Sequence, residues 1–334
     1  MKIAIIGCGK QAPKHISGLR TFDDVEHIYV ADLYPQASNK LASQYESGVT
    51  ALPIESLLDQ DRLDAVIITT PTASHADLCE QAILKGLPFL VEKPLCATYE
   101  DAKKILTLSQ AHNVNGMVGF IYRFCPIFDH MKSVIAKGEA SAIGTSQQAF
   151  FRIAGRGSHQ SWKHQRATLG GAVNEMMVHM IDLAVWYFGN VKSFTLLDHK
   201  LHHVERMIQG ENVTCDAEDD CSVRLHMEDG TQVLIQSDMI SPAFKQYAEI
   251  NGQNGIIEGS IQGQYQNALT LFEARDGCDK GYQALNLDQS NFYVSQSECL
   301  INMVRSGQAP TKCTLTEAVE VMRVQKGLQD AMWG

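Results

Sequence analysis

The chain has 334 residues, 45% of them hydrophobic, and a formal net charge of −10. That length suffices for about two domains with sizeable cores. Its acidity argues against nucleic acid or an anionic membrane as a general partner, since both reward clustered Lys and Arg. Small molecules are the expected partners. No window approaches the roughly 20 continuous apolar residues of a membrane helix, and Met1 leads straight into an apolar run without a leader-like stretch, so a cytoplasmic protein is expected. Nine scattered cysteines, with no Cys-x-x-Cys pair, fit reduced thiols better than a disulfide frame, and no metal site is expected.

Residues 2–6 read as an apolar strand running into Gly7, Cys8, Gly9, Lys10, Gln11 and Ala12, and Pro13 suits the first turn of a helix reaching to 21. A second strand, 27–31, ends at Asp32, with helical composition over 38–45 and 54–58. The strand 65–68 closes on Thr69, Thr70 and Pro71 and leads to a helix over 74–85. The strand 89–91 runs into Glu92, Lys93 and Pro94, followed by a helix over 99–112 and a strand over 115–120. Strands separated by helices predict parallel pairing with right-handed crossovers. Residues 1–121 are therefore expected to form an α/β Rossmann domain with a doubly wound parallel sheet.

Beyond Tyr122 the pattern changes. A strand-like stretch over 144–153 precedes an apolar helix over 170–188, then strand-like runs at 191–197, 220–227, 232–238, 246–252 and 255–259. Asp229-Gly230 and Asn254-Gly255 supply hairpin turns, and helices over 292–306 and 315–332 close the chain. Residues 122–334 are expected to form an α+β domain with a large, mainly antiparallel open sheet and the 171–188 helix on one face.

Gly7, Gly9 and Ala12 lie between a strand and a helix, and Asp32 follows about 20 residues on, the setting in which a glycine turn binds a dinucleotide. Gly7 permits the tight turn, Gly9 lets a pyrophosphate approach the backbone, and Ala12 lets helix pack on strand. Asp32 can accept both adenosine ribose hydroxyls and would repel a 2′-phosphate, while Leu33, Tyr34 and Pro35 offer no arginine. NAD is expected over NADP. Cys8 is read as facing the turn, not as a nucleophile.

Glu92, Lys93 and Pro94 sit at a strand's carboxyl end, where a doubly wound sheet places ligands, and the proline biases Lys93 toward an extended backbone. In the second half, Glu175, His179 and Asp182 are spaced four and three apart and share one face of a helix. Such a stripe is costly to bury unless its members pair or meet a ligand. Asp182 is expected in a core hydrogen-bond network, His179 in function.

The ordered set of Gly7, Gly9 and Ala12 with His15, the segment Thr70, Pro71 and His75, Glu92-Lys93-Pro94, Tyr122-Arg123-Phe124, Trp162 ahead of Gly170-Gly171, and Glu175 with His179 resembles the glucose-fructose oxidoreductase, inositol dehydrogenase and MocA family over nearly the whole chain. The resemblance implies a two-domain enzyme, a homodimer or homotetramer through the open sheet face. Such an enzyme uses NAD or NADP to oxidise or reduce one secondary alcohol of a sugar, cyclitol or nucleotide sugar. It further implies that Lys93 is the active-site lysine, that a cis bond precedes Pro94, and that His179 is the acid/base residue. Lys10, Gln11, Asp32, Thr70, Pro71, His75, Glu92 and Pro94 are then expected at the cofactor with the glycine turn, and Tyr122, Arg123, Arg156, Trp162 and Glu175 at the substrate.

Glu175 and Met177 stand where the family pattern has Asp and Gly, which lengthens the acid's reach and alters the pocket. Arg152, Arg156, His159, Trp162, Lys163, His164 and Arg166 form a basic stretch in an acidic chain. It reads either as recognition of a phosphate, carboxylate or nucleotide diphosphate, or as a solvated loop or subunit contact; the Trp162 indole can stack on a sugar ring. Two other readings stand beside the dehydrogenase. One is a catalytically inactive NAD- or sugar-sensing regulatory paralogue; the other is a sugar-sugar oxidoreductase with retained cofactor or a reductase of an unsaturated ring.

Overall fold

The computed structural model describes residues 1–58, 60, 62–156 and 160–334. They divide into two compact units, Met1–Phe124 with Asn291–Met322, and Cys125–Ser290 with Arg323–Gly334. A single boundary at 121/122 does not describe this division, because a late segment returns to the first unit.

The first unit alternates β1 (Lys2–Ile6), α1 (Ala12–Leu19), β2 (His27–Ala31), α2 (Pro35–Ala42), β3 (Val49–Ala51), α3 (Ile54–Leu57), β4 (Ala65–Ile68), α4 (His75–Leu84), β5 (Phe89–Val91), α5 (Tyr99–His112) and β6 (Gly116–Val118). The strands pair in parallel in the order β3-β2-β1-β4-β5-β6. That order reverses direction between β1 and β4, the topological switch point of a doubly wound sheet. Ile3 to Ile6 and Ala65 to Ile68 are at most 1% exposed, as expected of strands covered on both faces. Caps bound α5: Thr98 accepts the Asp101 N–H at 3.1 Å, and Asn113 closes the helix in the left-handed region. The three-residue β3 carries too short a pattern to be read from sequence.

In the second unit α6 (Pro126–Ile135) precedes β7 (Ser146–Ala154), and α7 (Val178–Phe188) follows a π-helical turn at Val173–Met177. Then come β8 (Val191–Lys200), β9 (Glu205–Ile208), β10 (Glu211–Thr214), β11 (Asp220–Met227), β12 (Gln232–Asp238), β13 (Lys245–Gly252), β14 (Gly255–Gly259), β15 (Ala268–Leu271) and β16 (Gly281–Ala284). One sheet runs β16-β15-β14-β13-β7-β12-β11-β8, with β7 and β12 parallel and the other pairs antiparallel. Burial alternates along β11, β12 and β13, so one face is covered. On that covered face the Tyr187 ring of α7 meets Phe151 of β7 edge-on at 6.0 Å. Lys132 of α6 donates to the Trp186 carbonyl at 2.6 Å, satisfying a carbonyl at the end of α7.

β9 and β10 form a separate hairpin around Gln209 and Gly210, both at positive φ, the backbone a two-residue turn requires. Their charged, weakly alternating sequences hid them from the sequence reading. α6, amphipathic and with proline in its first turn, was legible by period and was not anticipated.

Two helices complete the fold, α8 (Phe292–Ser306) and α9 (Leu315–Trp333). α8 lies on α1 in the first unit, where a Cβ on Gly18 would stand 2.5 Å from the Tyr293 carbonyl oxygen, so only glycine permits this approach. α9 opens with a capping box: Glu317 N–H donates to Thr314 Oγ1 at 3.3 Å, and Glu317 Oε2 accepts from Thr314 N at 2.9 Å. Among the described residues no helix is long and apolar enough to cross a membrane.

Candidate functional site

The glycine turn of the first unit is built by close approach. Gly7 has φ +96°, and a Cβ there would lie 2.8 Å from the Thr69 carbonyl group; Thr69 Oγ1 donates to the Gly7 carbonyl at 2.6 Å. The Cys8 N–H donates to Asp32 Oδ2 at 2.7 Å and the Tyr34 N–H to Oδ1 at 2.9 Å. One backbone donor on each oxygen fixes the carboxylate, yet each oxygen keeps lone-pair capacity for a ligand hydroxyl. At Gly9, exposed like Lys10, a Cβ would meet nothing within 4 Å. That open space beside the backbone, just ahead of the N-terminus of α1, suits a pyrophosphate. Burial, reinforced by the Asp32 charge, pushes the Cys8 thiol up to about 12, so it stays protonated and is no nucleophile.

Two buried histidines hold the Glu92-Lys93-Pro94 turn. His15 Nε2 lies 2.8 Å from Glu92 Oε1. His75 Nδ1 lies 2.8 Å from the Pro94 carbonyl oxygen and its Nε2 3.0 Å from that of Thr70. Burial holds the His75 pKa below its usual value against the pull of these carbonyls and of Glu92. The neutral ring has one N–H and so donates to one carbonyl at a time. Lys93, half-buried, thus stands between two anchored neighbours, with a cis bond to Pro94. His75 reaches this turn through the Pro94 carbonyl, and the Ser74 hydroxyl donates to Thr70 Oγ1 at 2.8 Å.

In the second unit, residues 172–188 are buried except Asn174, Glu175, Met176 and His179. The π turn that carries Glu175 belongs to a class of helix defect frequent at functional sites. The Lys163 ammonium pairs with Glu175 and lies 5.1 Å from the Trp162 ring centroid; Trp162 is 40% exposed. Asn174 Oδ1 accepts from Gln325 and Gln329 at 3.2 and 3.0 Å. Asp182 is 1% exposed, inside the core.

Much of the basic stretch is paired within its own unit. Arg152 bonds Gln236 and Asp238; the Arg166 guanidinium stands 3.7 Å from Asp216 and 4.6 Å from the Trp333 ring; His164 is buried. Arg156 is exposed, and His159 lies outside the described residues. Arg123, expected at the substrate, is instead wholly buried and paired with Glu317 at 2.6 Å. Burial would raise the Glu317 carboxyl, but the Arg123 charge and the Thr314 bonds hold it below its usual range. The neighbouring Tyr122 is also buried. Sequence reasoning missed the Lys163–Glu175 pair, for which the basic stretch was the only signal.

The chain matches a model of the oxidoreductase family with an NAD-binding Rossmann fold over residues 1–120, and one of the GFO/IDH/MocA C-terminal domain over 128–258. The chain belongs to this family. Among the relatives of the Gfo/Idh/MocA protein, a 4-carboxy-2-hydroxymuconate-6-semialdehyde dehydrogenase of Sphingobium sp. is 26% identical over 60% of this chain and 64% of its own. An inositol 2-dehydrogenase of Rhizobium meliloti is 26% identical over 78% of this chain and 76% of its own. Several other curated relatives are matched over little more than half their length. The fold is similar to that of levoglucosan dehydrogenase in complex with NADH, with a TM-score of 0.87 at 17% identity, covering 99% of this chain and 96% of that one. It is equally similar to an NAD binding oxidoreductase from Klebsiella pneumoniae, with a TM-score of 0.87 at 18% identity over 99% and 96% of the two chains.

Proposed function

We propose that the protein is an NAD-dependent dehydrogenase that oxidises or reduces one secondary alcohol of a sugar, cyclitol or nucleotide sugar, with Lys93 and His179 at the reacting carbinol. The observation that carries this reading is the opening in an otherwise buried helix. Four residues are only partly buried, and they include an imidazole and a carboxylate with its lysine partner. Polar groups on a core helix are costly unless they pair or meet a ligand, and a ligand is the reading that uses the imidazole and the paired carboxylate together. The named activities of the inositol and levoglucosan relatives point the same way.

In this reading His179 takes the hydroxyl proton as the alcohol is oxidised, and returns it in the reverse direction. Lys93, oriented by the His15 and His75 anchors, stabilises the developing alkoxide with its ammonium. Glu175, its charge balanced by Lys163, holds a neighbouring substrate hydroxyl, and Trp162 offers an apolar face to the ring. Bound NAD supplies the hydride acceptor. Gly9, Lys10, Gln11 and Ala12 seat the pyrophosphate, Asp32 takes the ribose hydroxyls and selects NAD over NADP, and Thr70 and Pro71 border the nicotinamide side. The half-exposed sheet face, which includes Phe150, Leu234, Tyr247 and Ile256, is the surface through which a homodimer or homotetramer would form.

A panel of polyols, aldoses, sugar phosphates and nucleotide sugars with NAD and with NADP, followed for reduced nicotinamide, tests the proposal. Turnover with at least one alcohol and NAD is expected. Tight NAD binding with no turnover across the panel would favour the sensing reading and overturn this one.

A further inference from the structure

The helix that carries Glu175 and His179 starts without a side-chain cap of its own; Ala172, at the cap position, has only a methyl group and no acceptor to offer. Its first N–H groups still need acceptors. One comes from 45 residues away: the Val173 N–H donates to Glu218 Oε1 at 2.9 Å. The preceding N–H, of Ala172, donates to the Glu218 carbonyl at 2.8 Å, and Ser237 Oγ donates to the Ala172 carbonyl at 3.2 Å. On the other side, the Gly171 N–H donates to the Lys163 carbonyl at 2.9 Å.

The two glycines are what admit these partners. A Cβ on Gly170 would stand 2.5 Å from the Lys163 carbonyl oxygen, and one on Gly171, at φ +104°, would stand 2.5 Å from Glu218 Oε1. A carboxyl 3% exposed therefore occupies the place a side chain at 171 would need.

We propose that Glu218 is a positioning residue: its buried carboxyl fastens the first turn of the Glu175–His179 helix and so fixes where those two side chains stand. The inference rests on the dehydrogenase reading for its functional consequence, though not for the fastening itself. Burial raises the Glu218 pKa to about 7; the Val173 and Glu218 N–H groups pull it down, Asp219 pushes it up and Arg166 lowers it. The Cys221 thiol beside it stays protonated. The fastening group thus changes charge close to neutral pH. As a carboxylate it accepts the Val173 N–H more strongly and meets the positive end of the helix.

Glu218→Gln keeps the shape and an accepting oxygen but removes the titration, whereas Glu218→Ala removes the acceptor. The test is kcat and KM across pH for both variants, with the NAD dissociation constant and amide hydrogen exchange over residues 172–179. Glu218→Ala should lose roughly tenfold to hundredfold in kcat, the scale of a small misplacement of catalytic groups. NAD affinity should stay within about twofold, and exchange over 172–179 should quicken. Glu218→Gln should recover most of that loss, and its kcat–pH profile should lack the contribution near 7 that Glu218 makes in the unaltered enzyme beside the His179 base. Unchanged exchange in Glu218→Ala, wild-type kcat in that variant, or a kcat–pH profile in Glu218→Gln identical to that of the unaltered enzyme would overturn the proposal. Should the alanine variant not fold, the pH profile of the glutamine variant decides. Should the unaltered protein turn over no alcohol, the dehydrogenase reading fails by itself, and exchange in Glu218→Gln and Glu218→Ala still decides the fastening.

Discussion

In the first unit the cofactor turn, its supports and the Glu92-Lys93-Pro94 turn gather at the carboxyl ends of parallel strands, with His15 of α1 and His75 of α4 beside them. Asp32 follows β2, Thr69 and Thr70 follow β4, and Glu92 follows β5. In the second unit the Glu175–His179 helix is held from far along the chain. Glu218 precedes β11, Ser237 lies in β12, Lys163 comes from the preceding loop, and Gln325 and Gln329 from α9. A parallel sheet gathers its strand ends by topology alone, so a short local motif suffices there. A helix on an antiparallel sheet has no such meeting point, and each support must be placed individually.

Two glycines give the widest contrast. Gly171→Ala forces a side chain into positive φ and against the Glu218 carboxyl, and should cost roughly 3 to 4 kcal/mol of stability in chemical denaturation. Gly9→Ala meets open space and should leave stability within about 0.5 kcal/mol, while NAD binding in a titration falls by roughly tenfold or more. Equal stability of the two variants would erase the distinction between a glycine the fold requires and one the ligand requires.

The pH dependence of stability sharpens the same contrast. The folded Glu218 pKa lies near 7 against 4.5 for an unperturbed glutamate, so the folded state holds this proton the more tightly. Its contribution is intact below pH 4.5, declines as pH rises toward 7, and levels off above that. At about 1.4 kcal/mol per pKa unit the decline is on the order of 3 kcal/mol. Melting temperature against pH should therefore fall less steeply through that window in Glu218→Gln; identical slopes would remove Glu218 as the source.

Smaller effects are expected elsewhere. Asp32→Ala removes the carboxylate that the Cys8 and Tyr34 N–H groups orient, and the ratio of NAD to NADP affinity should drop by roughly tenfold, about 1.4 kcal/mol. An unchanged ratio would take cofactor choice away from Asp32. Thr314→Ala breaks the capping box of α9 and should cost about 1 kcal/mol by denaturation; no loss would mean the Arg123–Glu317 pair alone sets that helix start.

The sequence revealed these regions unequally, for the same reason. Gly7, Gly9, Ala12 and Asp32 are read by spacing because their partners are strand ends next in order. Glu175 and His179 were visible as charges on an apolar helix. The π turn beneath them was not, since no residue type marks it, and neither was Glu218, which sits in the run Asp216 to Asp220 and looks like solvated acid. The Gly170-Gly171 pair was the available clue, as paired glycines signal close approach of something else. Arg123 misled because a basic residue near a ligand motif looks functional until its burial against Glu317 is seen. The return of residues 291–322 to the first unit depends on packing of α8 on α1, seen at Gly18 and in the Tyr293 hydroxyl that donates to Gln11 Oε1 at 2.9 Å.

Turnover by His179→Ala, at saturating NAD on the best substrate of the panel, tests the account most directly. A loss of about 10²- to 10⁴-fold in kcat, the usual worth of a positioned general base, with the NAD dissociation constant unmoved, is the predicted result. Full wild-type turnover in that variant would contradict it.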